Sequence, residues 1–250
     1  MAVRTEDREM RLTEHLEELR SCLIVSLAAT AIGTLLVWTW SGEFLSWLAR
    51  PVGGLIFTAP TEAFLTRLKV AMFGGFLLAL PVVLHQAWSF TACAMGEGLR
   101  RAVSSVLPLS YLLFLSGVTL CVFVVVPQTV RVLMAFGAEG VKPMLSVGPY
   151  VDFVTALSLA FGAVFQIPLA LVGLHRAGLV TPEGLSDKRR HVWLVSFIAA
   201  AALTPGPDVI SQVALATPMV VLFELSLLAR RSSARPAEEP TYSASPGSDL

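Results

Sequence analysis

Thr13-Glu-His-Leu-Glu-Glu-Leu-Arg-Ser-Cys-Leu23 is the densest run of charge ahead of a long apolar segment. Glu14 and Glu18 lie four residues apart on one face of a helix, and Glu17 lies one turn before Arg20. At helical period the leucines form one apolar stripe, made of Leu12, Leu16, Leu19 and Leu23. Taken alone, the pattern favours an amphipathic helix on a membrane surface with its charges solvated.

The composition indicates a membrane protein. Of the 250 residues, 55% are hydrophobic and only 14% are charged, whereas a soluble domain carries roughly 25% charged residues. The net charge is zero, so no nucleic-acid partner is expected. The three cysteines lack metal-binding spacing, and we expect no metal and no cofactor. Motifs of P-loop, zincin or intramembrane protease type are missing from the sequence, so no enzymatic activity is predicted.

Hydropathy predicts six membrane-spanning helices in residues 22–229, each of the first four near the ~20 residues that cross a bilayer. Their expected ranges are about 22–40, 68–88, 103–126, 151–175, 191–203 and 209–229. The last two are separated by Thr204-Pro-Gly-Pro-Asp208, because two prolines around a glycine cannot continue a helix. Residues 1–21 are expected to be an amphipathic cytoplasmic segment, and residues 230–250 are expected to be a disordered cytoplasmic tail.

The distribution of basic residues orients these spans. An even number of spans places both termini on one side of the membrane. That side carries most of the basic residues, namely Arg4, Arg8, Arg11, Arg20, Arg100, Arg101, Arg176, Lys188, Arg189, Arg190, Arg230, Arg231 and Arg235. Both termini are therefore predicted to be cytoplasmic, with long outer loops over about 41–67 and 127–150.

Several segments resemble the TatC family, the multispanning subunit of the twin-arginine protein translocase. His15-Leu-Glu-Glu-Leu-Arg20, directly ahead of a first span, is similar to the N-terminal signature of that family. The resemblance continues in order and spacing to about Arg231. It is carried by Pro51, Thr58–Lys69, Leu80–Phe90 with its Pro, Gln, Trp and Phe, Arg100-Arg101, Phe123–Pro127, Leu203-Thr-Pro205, Asp208, Gln212, Pro218 and Glu224.

The resemblance implies an all-α fold, a concave bundle of six helices in the bacterial cytoplasmic membrane. It also implies a receptor and assembly core that exports folded proteins with the proton motive force. The implied partners are the single-span subunits TatA and TatB, twin-arginine signal peptides, the lipid bilayer and further copies of the chain. The signal-peptide site implied by motif position comprises Glu18, Arg20, Phe90, Arg100 and Arg101. A carboxylate suits this task because it binds the planar guanidinium bidentately.

Polar residues within the spans, and one in the turn between the last two spans, are the second group of candidates. Gln166, Glu224 and Asp208 are predicted to contact partner subunits within the membrane. Snorkelling to the interface is the alternative for Glu224, and capping of the sixth span is the alternative for Asp208. Structural roles are predicted for five prolines, Pro51, Pro81, Pro127, Pro168 and Pro205, and Pro168 is expected to produce a local kink lined with polar groups beside Gln166.

Departures from the family pattern leave other interpretations open. Leu99 stands where the family carries a glutamate before the paired basic residues, and Cys93 and Cys22 replace a proline and a basic residue. Gln166 replaces a glutamate. Because most of these changes fall at the recognition face, a diverged paralogue without receptor activity is one alternative. A six-span solute permease is another.

Overall fold

The computed structural model describes residues 12–52, 54–95, 97–135, 144–167, 169–170, 173, 189–203, 209, 212–213, 216–218, 220–221 and 224. Its α-helices are α1 Leu12–Val37, α2 Ser41–Ala49, α3 Pro60–Met95, α4 Glu97–Leu120, α5 Val126–Ala135, α6 Val147–Val164 and α7 Arg189–Leu203. Two short strands are β1 Leu55–Ile56 and β2 Leu145–Ser146. The predicted all-α class is confirmed. Among the described residues, four stretches are long and apolar enough to cross a membrane: His15–Ala49, Pro60–Ala92, Val106–Ala135 and Val147–Val164.

Helix α1 continues without a break from the charged segment into the first predicted span. It packs on α3 through glycines: a Cβ added to Gly33 would lie 2.5 Å from the carbonyl oxygen of Gly75. The other side of α1 is exposed, with Leu27 and Leu35 at 68% and 76% of their full accessibility. Because lipid tails are as apolar as leucine, helices in a bilayer associate through such close packing. The exposed leucines therefore face lipid or another membrane helix.

Helix α6 lies at the centre of the described bundle. Val154, Leu157 and Phe161 are almost fully buried in a cluster with residues of α4 and the turn that follows it. Gly162 leaves room for the ring of Phe114, because a Cβ added to Gly162 would lie 2.5 Å from that ring. This packing positions α6 against both α3 and α4.

Prolines account for the irregular turns. A π-helical turn, Cys121–Val125, joins α4 to α5 directly ahead of Pro127. Proline lacks an N–H and clashes with the carbonyl four residues earlier, and a π turn accommodates both effects. Pro51 belongs to the 3-10 turn Arg50–Val52 that follows α2. Pro81, by contrast, lies inside α3 and does not end that helix.

The helix is interrupted near Gln166, where the sequence predicts a local kink. Helix α6 ends at Val164, and the N–H of Gln166 donates to the carbonyl of Ala163, three residues earlier, at 3.0 Å. The helical bonding resumes when the N–H of Ala170 donates to the Gln166 carbonyl at 2.9 Å. Pro168 itself lies outside the described residues.

The outer loops contain more structure than hydropathy predicts. Helices α2 and α5 occupy much of the two predicted outer loops. Strands β1 and β2 pair in parallel, with Leu55 opposite Leu145, and the hydroxyl of Tyr150 donates to the Leu48 carbonyl at 3.0 Å. We call α2, β1 and β2 together the outer cap.

Candidate functional site

The inner end of the bundle brings the start of α1 beside the end of α3. The ring of His15 stacks on the ring of Phe90, with centroids 4.4 Å apart and planes inclined by 20°. Both side chains are half-buried, as is Glu18, one turn beyond His15 on α1. Glu18 and Phe90, placed in one site by family resemblance, therefore lie on two helices that are in contact at this end. Arg20 is exposed.

Other predicted site residues are less completely described. Arg100 and Arg101 belong to the first turns of α4, but their side chains lie outside the described residues. Asp208 and Pro205 also lie outside them. Glu224 is half-buried in one of the last described pieces of helix.

A polar network, largely shielded from solvent, joins α3, α4 and the turn that follows α6. The hydroxyl of Ser110 on α4 donates to the side-chain carbonyl of Gln166 and accepts from the Trp88 indole N–H of α3 at 3.1 Å. The Gln166 amide also donates to the Ser110 backbone carbonyl at 2.9 Å. Both polar groups of this amide are thus engaged inside the chain. Sequence analysis named Gln166 but missed Ser110, for which a serine within an apolar span was the available signal.

A second polar cluster closes the outer end. The carboxylate of Glu62, in the first turn of α3, accepts from the backbone N–H and hydroxyl of Thr58 at 2.6 and 2.7 Å. It also accepts from the Gly148 N–H at 2.7 Å and from the hydroxyl of Ser146. Glu62 therefore ties the start of α3 to β2 and to the first turn of α6. Sequence analysis quoted the segment that contains Glu62 without assigning this role.

Glu62 lies ahead of the predicted span at 68–88, near the outer end of the longer apolar stretch Pro60–Ala92. The helix has 36 residues, about 54 Å at 1.5 Å per residue, against ~30 Å of hydrocarbon. The hydroxyl of Ser146 and the N–H of Gly148 are the largest causes that lower its pKa from 4.5 to about 2. The donors favour the ionised carboxylate.

This shift predicts how the outer cap responds to acid. The stabilisation from the Glu62 carboxylate is fully present above pH 4.5 and is lost as the pH falls towards about 2. We expect the difference in melting temperature between wild type and Glu62→Gln, measured in detergent, to be constant above pH 5 and to shrink below pH 4. A difference that is independent of pH down to pH 2.5 would contradict this role.

Charged contacts elsewhere join the outer halves of the helices. The ammonium of Lys69 on α3 lies 2.6 Å from a carboxylate oxygen of Asp152 on α6, the only salt bridge within the described residues. The guanidinium of Arg67 lies 5.9 Å from the Trp38 ring centroid, an arrangement typical of cation–π attraction. Among the described residues no group of three or more His, Cys, Asp or Glu side chains could hold a metal ion.

The fold and these contacts define a multi-pass integral membrane protein. Its polar clusters lie where side chains of neighbouring helices meet. A family model, "Sec-independent protein translocase protein (TatC)", matches residues 14–218. The chain belongs to the TatC family. It is a component of the Sec-independent protein translocase of the bacterial inner membrane and not an enzyme, as predicted.

Individual relatives agree with this assignment. TatC of Carboxydothermus hydrogenoformans is 38% identical over 226 residues, which cover 89% of this chain and 93% of that protein. TatC of Escherichia coli is 34% identical over 233 residues, 90% of each chain. The crystal structure of the twin-arginine translocase receptor TatC in DDM is similar with a TM-score of 0.75 at 34% identity, covering 86% of this chain and 99% of that chain. The predicted TatC-like bundle is therefore confirmed, and the solute permease is set aside.

Proposed function

We propose that the chain is the signal-peptide receptor and assembly core of its translocase. It binds twin-arginine signal peptides at the inner ends of α1 and α3 and exports folded proteins with the proton motive force. The observation that carries this proposal is the contact of His15 with Phe90, which holds Phe90 beside the helix face of Glu18. A carboxylate and an aromatic ring on neighbouring helices can bind a guanidinium through charge-assisted hydrogen bonds and stacking.

The lipid-exposed surface supports a role in assembly. The apolar residues on the outside of α1, including Leu27 and Leu35, can pack against single-span TatA and TatB subunits or another copy of this chain. Glu224 and Asp208 remain candidates for polar contacts with such partners. Gln166 is a weaker candidate because a partner would have to displace its bonds to Ser110.

The receptor role is tested by photocross-linking a signal peptide to the full chain in membranes. Twin-arginine and twin-lysine peptides are compared for wild type and for Glu18→Ala. Because hydrogen bonds to charged groups contribute about 1.5–3 kcal/mol, we expect Glu18→Ala to weaken twin-arginine binding roughly tenfold or more. Glu17→Ala is the matched control, since Glu17 is an exposed carboxylate on the same turn of α1, and it should leave binding unchanged.

Equal labelling by the two peptides would overturn the receptor role. The same loss in Glu17→Ala and Glu18→Ala would also overturn the assignment of the site. Either result would favour the non-receptor paralogue. Leu99→Glu, which introduces the carboxylate usual in the family, would then show whether binding can be restored.

A further inference from the structure

We propose that His15 determines the preference for arginine over lysine by holding Phe90 in a stacked ring pair. This pair binds one arginine of the signal peptide, and Glu18 binds the other. The inference rests on the proposed receptor function and adds a second guanidinium subsite to it. His15 is a positioning residue in this arrangement, and Phe90 provides the surface that the ligand touches.

The geometry of the ring pair suits this role. The centroid distance of 4.4 Å and the inclination of 20° describe two nearly parallel rings in contact. One face of each ring is covered by the other, which fixes the orientation of Phe90 at the end of α3. Both residues are half-buried rather than buried, so part of the pair is accessible from the inner side.

The spacing along α1 places the carboxylate next to the rings. Residues three apart on a helix are neighbours, with Cβ atoms about 5–6 Å apart, and Glu18 follows His15 by three. Glu17 follows His15 by two and points away from that face. One carboxylate binds one guanidinium bidentately, so Glu18 accounts for one arginine of the signal. Because Glu17 points away from this face, a second arginine here requires another group.

An aromatic pair can supply that group and can distinguish the two cations. Arginine is planar and weakly hydrated and stacks on aromatic rings, whereas the lysine ammonium is a compact and strongly hydrated charge. A cation over an aromatic ring at a partly exposed site gains about 0.5–1 kcal/mol. The ring pair therefore favours a twin-arginine peptide over a twin-lysine peptide by contacts that Glu18 alone does not provide.

The test measures the apparent affinity of twin-arginine and twin-lysine signal peptides for the full chain in membranes. We expect His15→Ala to weaken twin-arginine binding about two- to fivefold and to leave twin-lysine binding unchanged. His15→Phe should retain the wild-type ratio of the two affinities, because phenylalanine can also stack on Phe90. His85→Ala is the matched control, since His85 is exposed on α3 and has no ring contact within the described residues.

The outcomes separate this inference from the receptor function. If Glu18→Ala removes arginine-dependent binding while His15→Ala keeps the ratio of the two affinities, the ring subsite is overturned and the receptor function stands. The subsite would also be overturned if His15→Ala weakened the binding of both peptides equally. The same conclusion would follow if His15→Phe lowered the ratio of the twin-arginine to the twin-lysine affinity as much as His15→Ala does. If wild type binds both peptides equally and Glu18→Ala has no effect, both proposals are overturned.

Discussion

Gly75→Ala is expected to separate α1 from α3 and to destabilise the folded chain by about 3 kcal/mol. An added Cβ would lie 2.6 Å from the Thr34 Cα and 2.7 Å from the Gly33 backbone carbon. These are backbone atoms, which cannot rotate away, so the helices must move apart by roughly 1 Å to restore van der Waals distance. Because close approach drives helix association in lipid, this movement removes contacts along much of α1. Unfolding in detergent measures the loss.

Gly42→Ala is the matched control for this substitution. Gly42 lies in α2, and a Cβ there would lie 3.4 Å from the nearest atom, the end of the flexible Arg67 side chain. Alanine has a higher helix propensity than glycine by about 1 kcal/mol, so this variant should be as stable as wild type or slightly more stable. Equal stability of Gly75→Ala and Gly42→Ala would contradict the importance of the α1–α3 approach.

Ser110→Ala is expected to cost about 2 kcal/mol of stability, since it removes one hydroxyl from a buried network. The Trp88 N–H would lose its acceptor, and the Gln166 carbonyl would lose its donor. Within the bilayer neither group finds water as a replacement. Ser116→Ala is the control in the same helix, because the Ser116 hydroxyl is exposed and bonds to the Leu113 carbonyl one turn earlier in its own helix.

A double-mutant cycle tests whether Ser110 and Gln166 act together. If they form one network, Gln166→Leu should cost less in the Ser110→Ala background than in wild type. Additive losses would show that the two side chains stabilise the chain independently. Retained cross-linking of TatA-type subunits in Gln166→Leu would further support an internal role for this amide.

The presence of apolar helices long enough to cross a membrane could be predicted from local sequence. Apolar segments of sufficient length predict spanning helices, because every backbone polar group in lipid must be bonded within its own segment. The interruption at Gln166 follows from a proline two residues later. The irregular turn ahead of Pro127 has the same local cause. These features depend on residues within a few positions of one another.

The outer cap could not be predicted in this way. Its strands are two residues long and pair Leu55 with Leu145, so no periodic pattern indicates them. Glu62 accepts from Gly148, 86 residues further along the chain. Only the folded bundle brings these donors to one carboxylate.

The sequence by itself determined the membrane-spanning class and the TatC family, the latter through the motif His15–Arg20 together with the segments that follow it in order and spacing. Tertiary structure alone decided which side chains meet: Ser110 with Gln166 inside the bundle, and His15 with Phe90 at its inner end. The physical reason is that hydropathy and helical period describe how each helix partitions into lipid. Which neighbour a side chain reaches depends on the distance between helices, and that distance is set by packing such as the approach of Gly33 to Gly75.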